Sequence, residues 1–173
     1  GTLFAYQQEN IKPDIIALAK GLGGGFPVGA VMAKAKVGDA MIPGTHGSTF
    51  GGNPLAMRSA NAVLDLLLQN DFLKNLRERI IYFDNNMDAL ISDDDKESPI
   101  ILSKKGSGML RGFQLKENVA AGDFGNISRE KGLLLVGAAE NTIRLLPPLN
   151  TSKEEIDQAF EILSEVVKEI KKN

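Results

Sequence analysis

Apolar positions fall into two regimes along the chain. Up to about residue 53 they come as short runs broken by glycine. Ile15-Ile16-Ala17-Leu18-Ala19 predicts a buried strand over 14–19, and Pro27-Val28-Gly29-Ala30-Val31-Met32-Ala33 predicts a second over 27–33. Beyond Pro54, which a first helical turn tolerates, the spacing turns helical. Leu55, Ala60, Val63, Leu64 and Leu67 predict a helix over 54–69. Phe72, Leu76, Ile80, Phe83, Met87 and Leu90 recur in steps of four and three, which predicts a long amphipathic helix over 72–91 with Asp71 as its cap. Next come two strands, 100–105 and 108–115, turning at Gly106-Ser107. A helix over 122–131 closes at Gly132. Two more strands, 133–136 and 142–146, end at Pro147-Pro148. A capping box from Thr151 to Glu154 opens a last helix, whose apolar stripe is Ile156, Phe160, Leu163, Val167 and Ile170. Lys168, Lys171 and Lys172 complement its C-terminal dipole.

This order predicts two units. Residues 1–70 read as α/β material with long loops. Residues 71–173 read as a compact two-layered α+β unit in which helices cover one sheet, with the helix over 72–91 as connector. The acidic run Asp93-Asp94-Asp95 interrupts that pattern and reads as a solvated loop, because no spaced ligand set surrounds it.

Composition narrows the function classes. The 173 residues are 43% hydrophobic and 24% charged, ordinary globular usage with material for a core. The net charge of −2, with both signs interspersed, offers no basic surface for nucleic acid. With no cysteine and one histidine, disulfides, thiolate sites and a His/Cys metal cluster are excluded. No apolar run has the length of a membrane span and no signal-peptide pattern is present, so a soluble cytoplasmic protein is expected. The opening Gly1-Thr2-Leu3-Phe4 has no initiator methionine and reads as the interior of a longer protein.

Glycine marks the candidate chemistry: ten of 18 lie between Gly21 and Gly52. Lys20 ends the first apolar run and precedes Gly21-Leu22-Gly23-Gly24-Gly25. Desolvation at the end of a buried strand would lower the pKa of an ammonium and leave a nucleophilic amine able to form a Schiff base with a carbonyl. The alternative is a strand-end lysine that reaches solvent before a flexible turn. Gly44-Thr45-His46-Gly47-Ser48-Thr49-Phe50-Gly51-Gly52-Asn53-Pro54 sets two hydroxyls among glycines before a helix, either an anion cradle suited to phosphate or a plain turn. It lacks the Gly-Lys-Ser/Thr of a P-loop. Arg144 lies in Ile143-Arg144-Leu145-Leu146-Pro147-Pro148-Leu149. It is a carboxylate anchor, a structural ion-pair partner, or an outward-pointing edge arginine. Arg111 is assigned to structure more readily than Arg144, and His46 to a polar turn.

Together and in this order, these segments resemble the class III, fold-type I aminotransferases that use pyridoxal 5′-phosphate, most closely the acetylornithine type. The resemblance rests on Gly1-Thr2-Leu3-Phe4-Ala5-Tyr6, on the segment from Pro13 through Lys20 to Ala30, on Gly44 through Ala56, and on Ile143 through Leu149. It covers essentially the whole chain. It implies an α/β fold class: the C-terminal part of the large cofactor-binding domain over 1–70, and the small α+β C-terminal domain over 71–173. It implies that Lys20 holds the cofactor as a Schiff base and moves the substrate proton. Thr49 would bond the cofactor phosphate, usually that of the neighbouring subunit. Ser48 would contact an acetylornithine-type substrate, and Arg144 would pair with a substrate carboxylate. The implied partners are a small amino donor, 2-oxoglutarate and a second subunit in a homodimer.

The implied reaction moves the terminal amino group of N-acetylornithine to 2-oxoglutarate, in arginine biosynthesis. Ornithine, succinylornithine, 4-aminobutyrate and diaminopelargonate aminotransferases remain alternatives, as do aminomutases. From another class, a non-catalytic phosphate- or nucleotide-binding module would use the 44–54 loop, and a structural remnant would use no ligand. The family's aspartate for the pyridinium nitrogen, its Gly-Thr phosphate loop, its ring-stacking aromatic and a second substrate arginine have no match in the chain. The 173 residues are therefore expected to carry part of an active site, inactive by itself.

Overall fold

The computed structural model describes residues 1–94 and 96–172. They form two compact units, Thr2–Lys74 and Asn75–Asn173, the latter taking in Gly1.

In the first unit, β1 (Ile15–Leu18) pairs antiparallel with β2 (Ala30–Ala33), with Ile15 opposite Ala33 and Leu18 opposite Ala30. The expectation of a buried strand is corrected. Positions along β1 alternate between exposed and half-buried, and Ile15 is 56% exposed. An apolar run records a preference for burial. A two-stranded ribbon provides no layer to satisfy it. The second strand is also shorter than predicted, because 27–29 stay outside the ladder. A short helix α1 (Ala35–Gly38) follows, then the polar loop, then α2 (Pro54–Leu67). Asn53 caps α2: its side-chain oxygen accepts from the Ala56 N–H at 2.9 Å, and Pro54 takes the first helical position, where no N–H is needed. The buried positions of α2 are Ala56 and Ala60, whereas Leu55 is 62% exposed.

The second unit is built on a four-stranded antiparallel sheet in the order β3-β4-β6-β5: β3 Ile101–Ser107, β4 Leu110–Leu115, β6 Thr142–Leu145 and β5 Val136–Ala138. Helices α3 (Phe72–Asp93, entered from the first unit), α4 (Ala121–Glu130) and α5 (Lys153–Ile170) supply the apolar partners. Phe113, Ile143, Leu115 and Ile101 from one sheet face join Met87, Phe83, Phe124, Ile156, Leu163 and Val166 in the core, each at most 4% exposed. Phe83 and Phe160 meet edge to face at 5.4 Å. The predicted stripes of the two long helices are the ones that bury.

Four local expectations shift, the first being the strand predicted over 133–136, which forms at Val136–Ala138. The hairpin turns at Gly108-Met109, since Ser107 pairs with Leu110 and Gly106 pairs with Arg111. Gly106 sits inside the ladder at φ 86°, where a Cβ would collide with the Leu110 carbonyl. Helix α5 begins one residue later than read. Ser152 accepts from the Glu155 N–H at 3.1 Å, and its own N–H donates to the Glu155 carboxylate at 2.8 Å. Thr151 is buried instead. The acidic run is not a solvated loop: α3 continues to Asp93, Asp94 is buried, and Asp95 lies outside the described residues. The Asp94 carboxylate accepts from the Ile100 and Ile101 N–H groups at 2.7 and 2.8 Å and pairs with Lys171 at 2.5 Å. It thereby joins the end of α3, the start of β3 and the end of α5.

Candidate functional site

Lys20 stands at the junction between β1 and a 3₁₀ turn, Lys20–Gly23. Ala19 is extended and Lys20 itself has φ 53°, a left-handed conformation that non-glycine residues adopt at a cost. The chain thus reverses at Lys20, and its side chain is exposed. Of the two readings of this lysine, the strand-end position that reaches solvent is the one seen. The turn ends at Gly24, φ 58°, where a Cβ would lie 2.9 Å from Val63 Cγ2 on α2. Glycine there lets the turn lie directly on α2, so the backbone that carries Lys20 is fixed to a helix instead of hanging in a loop. No carboxylate pairs with Lys20 among the described residues.

Ser48 and Thr49 lie together, both exposed, in the turn that feeds α2. The Gly51 N–H donates to the Ser48 carbonyl at 3.1 Å, and the Asn53 side chain donates to the Phe50 carbonyl at 2.8 Å. These bonds occupy backbone and asparagine groups, and neither hydroxyl has a partner among the described residues. Two free O–H donors therefore stand a few residues before a capped helix in the same unit as Lys20. They fit an anion such as a phosphate, and an exposed primary amine fits a carbonyl carbon. In the segments that carry the motifs, the one carboxylate, Asp14, is held by Lys34 at 2.7 Å, and the aromatics include Phe26 and the exposed Phe50. His46 is exposed in the same loop, its Nδ1 3.5 Å from the Thr45 hydroxyl.

Arg144 belongs to the second unit. It is exposed on the outer face of β6, opposite Gly112 on β4 and Val136 on β5, and no acid pairs with it among the described residues. Of the three sequence readings, the geometry supports neither the structural ion pair nor an edge position, because β6 lies between β4 and β5. Arg111 is the structural arginine: its side chain is 12% exposed, pairs with Asp84 of α3, and donates to the Gly106 carbonyl at 2.8 Å. Lys104 joins the same cluster through Asp84 at 3.0 Å and Asp88 at 2.7 Å.

Two contributors escaped the sequence reading. Asn53 was signalled by its place before Pro54, the arrangement of a capped helix start. Glu140 has no such signal. It lies in the β5–β6 turn at φ 56°, followed by Asn141 at φ 48°, and pairs with Lys105 at 2.5 Å.

Comparison with known proteins gives a consistent answer. The sequence is 42% identical over 171 residues to the acetylornithine aminotransferase of Oceanobacillus iheyensis, covering 98% of this chain and 41% of that one. It is 41% identical to the acetylornithine aminotransferase of Bacillus subtilis, over 96% of this chain and 42% of the relative. Among solved structures, acetylornithine aminotransferase from Elizabethkingia anophelis superposes with a TM-score of 0.86 at 33% identity, over 97% of this chain and 42% of that one. Plasmodium falciparum ornithine delta-aminotransferase reaches 0.89 at 32%, over 99% and 43%. The chain thus spans about two fifths of the length of these relatives. The family description Aminotransferase class-III matches residues 1–167, and on that match the chain belongs to the class III aminotransferases, in the α/β fold of fold-type I.

Proposed function

We propose that the chain is the Lys20-bearing part of a pyridoxal 5′-phosphate-dependent aminotransferase that moves the terminal amino group of N-acetylornithine to 2-oxoglutarate. Residues 1–70 belong to its large cofactor-binding domain and 71–173 to its small domain. The observation that carries the reading is the Lys20 junction: an exposed amine in a strained, glycine-supported turn fixed on α2, in a chain of this family. When bound, pyridoxal phosphate supplies an electron-withdrawing ring that stabilises negative charge at the substrate carbon.

The chain's own residues do the rest. Lys20 Nζ would hold the cofactor, and it would take and return the proton at the substrate carbon. The Thr49 hydroxyl would donate to a cofactor phosphate, that of the neighbouring subunit, and Ser48 would contact the donor substrate. Arg144 pairs with a carboxylate through two parallel hydrogen bonds. The whole protein works as a cytoplasmic homodimer in arginine biosynthesis, and its partners are the amino donor and 2-oxoglutarate.

The test is an amine panel with 2-oxoglutarate on the whole protein, read as glutamate formed. N-acetylornithine is expected to turn over fastest. A higher rate with ornithine, 4-aminobutyrate or diaminopelargonate would move the assignment within the family. Retention of borohydride-trapped cofactor by Lys20→Ala would point to a phosphate-binding module instead.

A further inference from the structure

On the outer face of the sheet, the ladder places Lys105, Gly112, Arg144 and Val136 in one row across four strands. Two cations therefore share a row, separated by a residue with no side chain. Two strand spacings put their backbones about 10 Å apart, within reach of a long lysine stem. Arg144 is unpaired among the described residues, whereas Lys105 is held by Glu140.

The turn that carries Glu140 is fixed from several sides. The Gln114 side-chain amide and the Thr142 hydroxyl both donate to its carbonyl. Its neighbour Asn141 accepts from the Ala121 N–H at 2.9 Å and donates to the Lys116 and Val119 carbonyls at 3.0 and 2.9 Å. Two consecutive non-glycine residues in the left-handed region are maintained by these bonds. Glu140 is itself 78% exposed, so its pairing contributes little to stability. What the fixed turn does is decide where the Lys105 ammonium goes.

We propose that Glu140 is a specificity-determining residue: by holding Lys105 it leaves Arg144 as the single cation of the row and makes the seat select a singly charged carboxylate over a doubly charged anion. This rests on the reading of Arg144 as the carboxylate anchor. A second free ammonium in the row would favour phosphate- or sulfate-like groups, because the added attraction scales with the charge of the guest. The Lys105 pairing also holds the Glu140 carboxyl below its ordinary pKa.

The experiment titrates the 173-residue chain with propionate and with sulfate, following the backbone amide shifts of Gly112 and Val136. Glu140→Gln, an exposed substitution, is expected to raise the sulfate-to-propionate affinity ratio about threefold to tenfold. Adding Lys105→Met should return the ratio to its starting value. An unchanged ratio in Glu140→Gln, or a gain that survives Lys105→Met, overturns the proposal while leaving Arg144 as anchor. If Arg144→Gln responds to propionate as the parent does, the anchor reading falls, and the proposal falls with it.

Discussion

At the residue scale, two side chains carry most of the consequence. Lys20 combines a reactive amine with a backbone conformation that favours glycine. Its two simplest substitutions should therefore separate chemistry from stability. Lys20→Ala and Lys20→Gly are both expected to lose the reducible cofactor link, while Lys20→Gly unfolds about 1 kcal/mol later than Lys20→Ala in denaturant. Equal stabilities would show that φ 53° costs nothing there. Asp94 is the opposite case, a buried charge whose role is structural. Burial alone would raise its pKa, but the Ile101 and Ile100 N–H groups and the Lys171 ammonium outweigh burial and hold it below the ordinary 3.8. A carboxyl depressed by folding stabilises the fold above its unfolded pKa, and that contribution is lost as pH falls below about 3.8 through the folded value. Asp94→Asn is expected to cost about 2 kcal/mol at pH 7 and to flatten the acid limb of a stability-versus-pH curve. An unaltered acid limb would remove Asp94 from that role.

At the element scale, the long amphipathic helices were legible because their stripes repeat over many turns: the α3 and α5 stripes are also the core of the second unit. Short features were legible only to within a residue or two. Thr151 and Ser152 both stand three residues before a glutamate, so the sequence admits two capping boxes. Burial of Thr151 selects Ser152. Ser152→Ala should cost about 1 kcal/mol, whereas Thr151→Val should leave stability within about 0.5 kcal/mol; chemical denaturation of the two variants compares them directly. The hairpin shifted because two glycines compete for the turn and only pairing decides between them. The apolar run of β1 states a preference for burial, and no layer among the described residues covers it. For the candidate site, Lys20, Ser48, Thr49 and Arg144 were all legible as residue types in context. Glu140 was not, because a turn glutamate gains meaning only when the ladder brings Lys105 and Arg144 into one row.

At the scale of the whole molecule, the chain is two units. Lys20, Ser48 and Thr49 are in one, Arg144 in the other. The first unit exposes Ile11, Ile15, Val31, Ile42 and Phe50, each more than half accessible, and so presents apolar surface together with its candidate chemistry. No helix among the described residues is long and apolar enough to cross a membrane. Family membership follows from residues 1–167. The roles of the individual residues rest on the chemistry argued above, and Lys20 is the one on which the rest depends.

The most direct test saturates the whole protein with pyridoxal 5′-phosphate, reduces it with borohydride, and maps the pyridoxyl label by peptide mass spectrometry. The account predicts that Lys20 takes most of the label and that Thr49→Val lowers its share. A label spread evenly over the surface lysines, indifferent to Thr49, would contradict it.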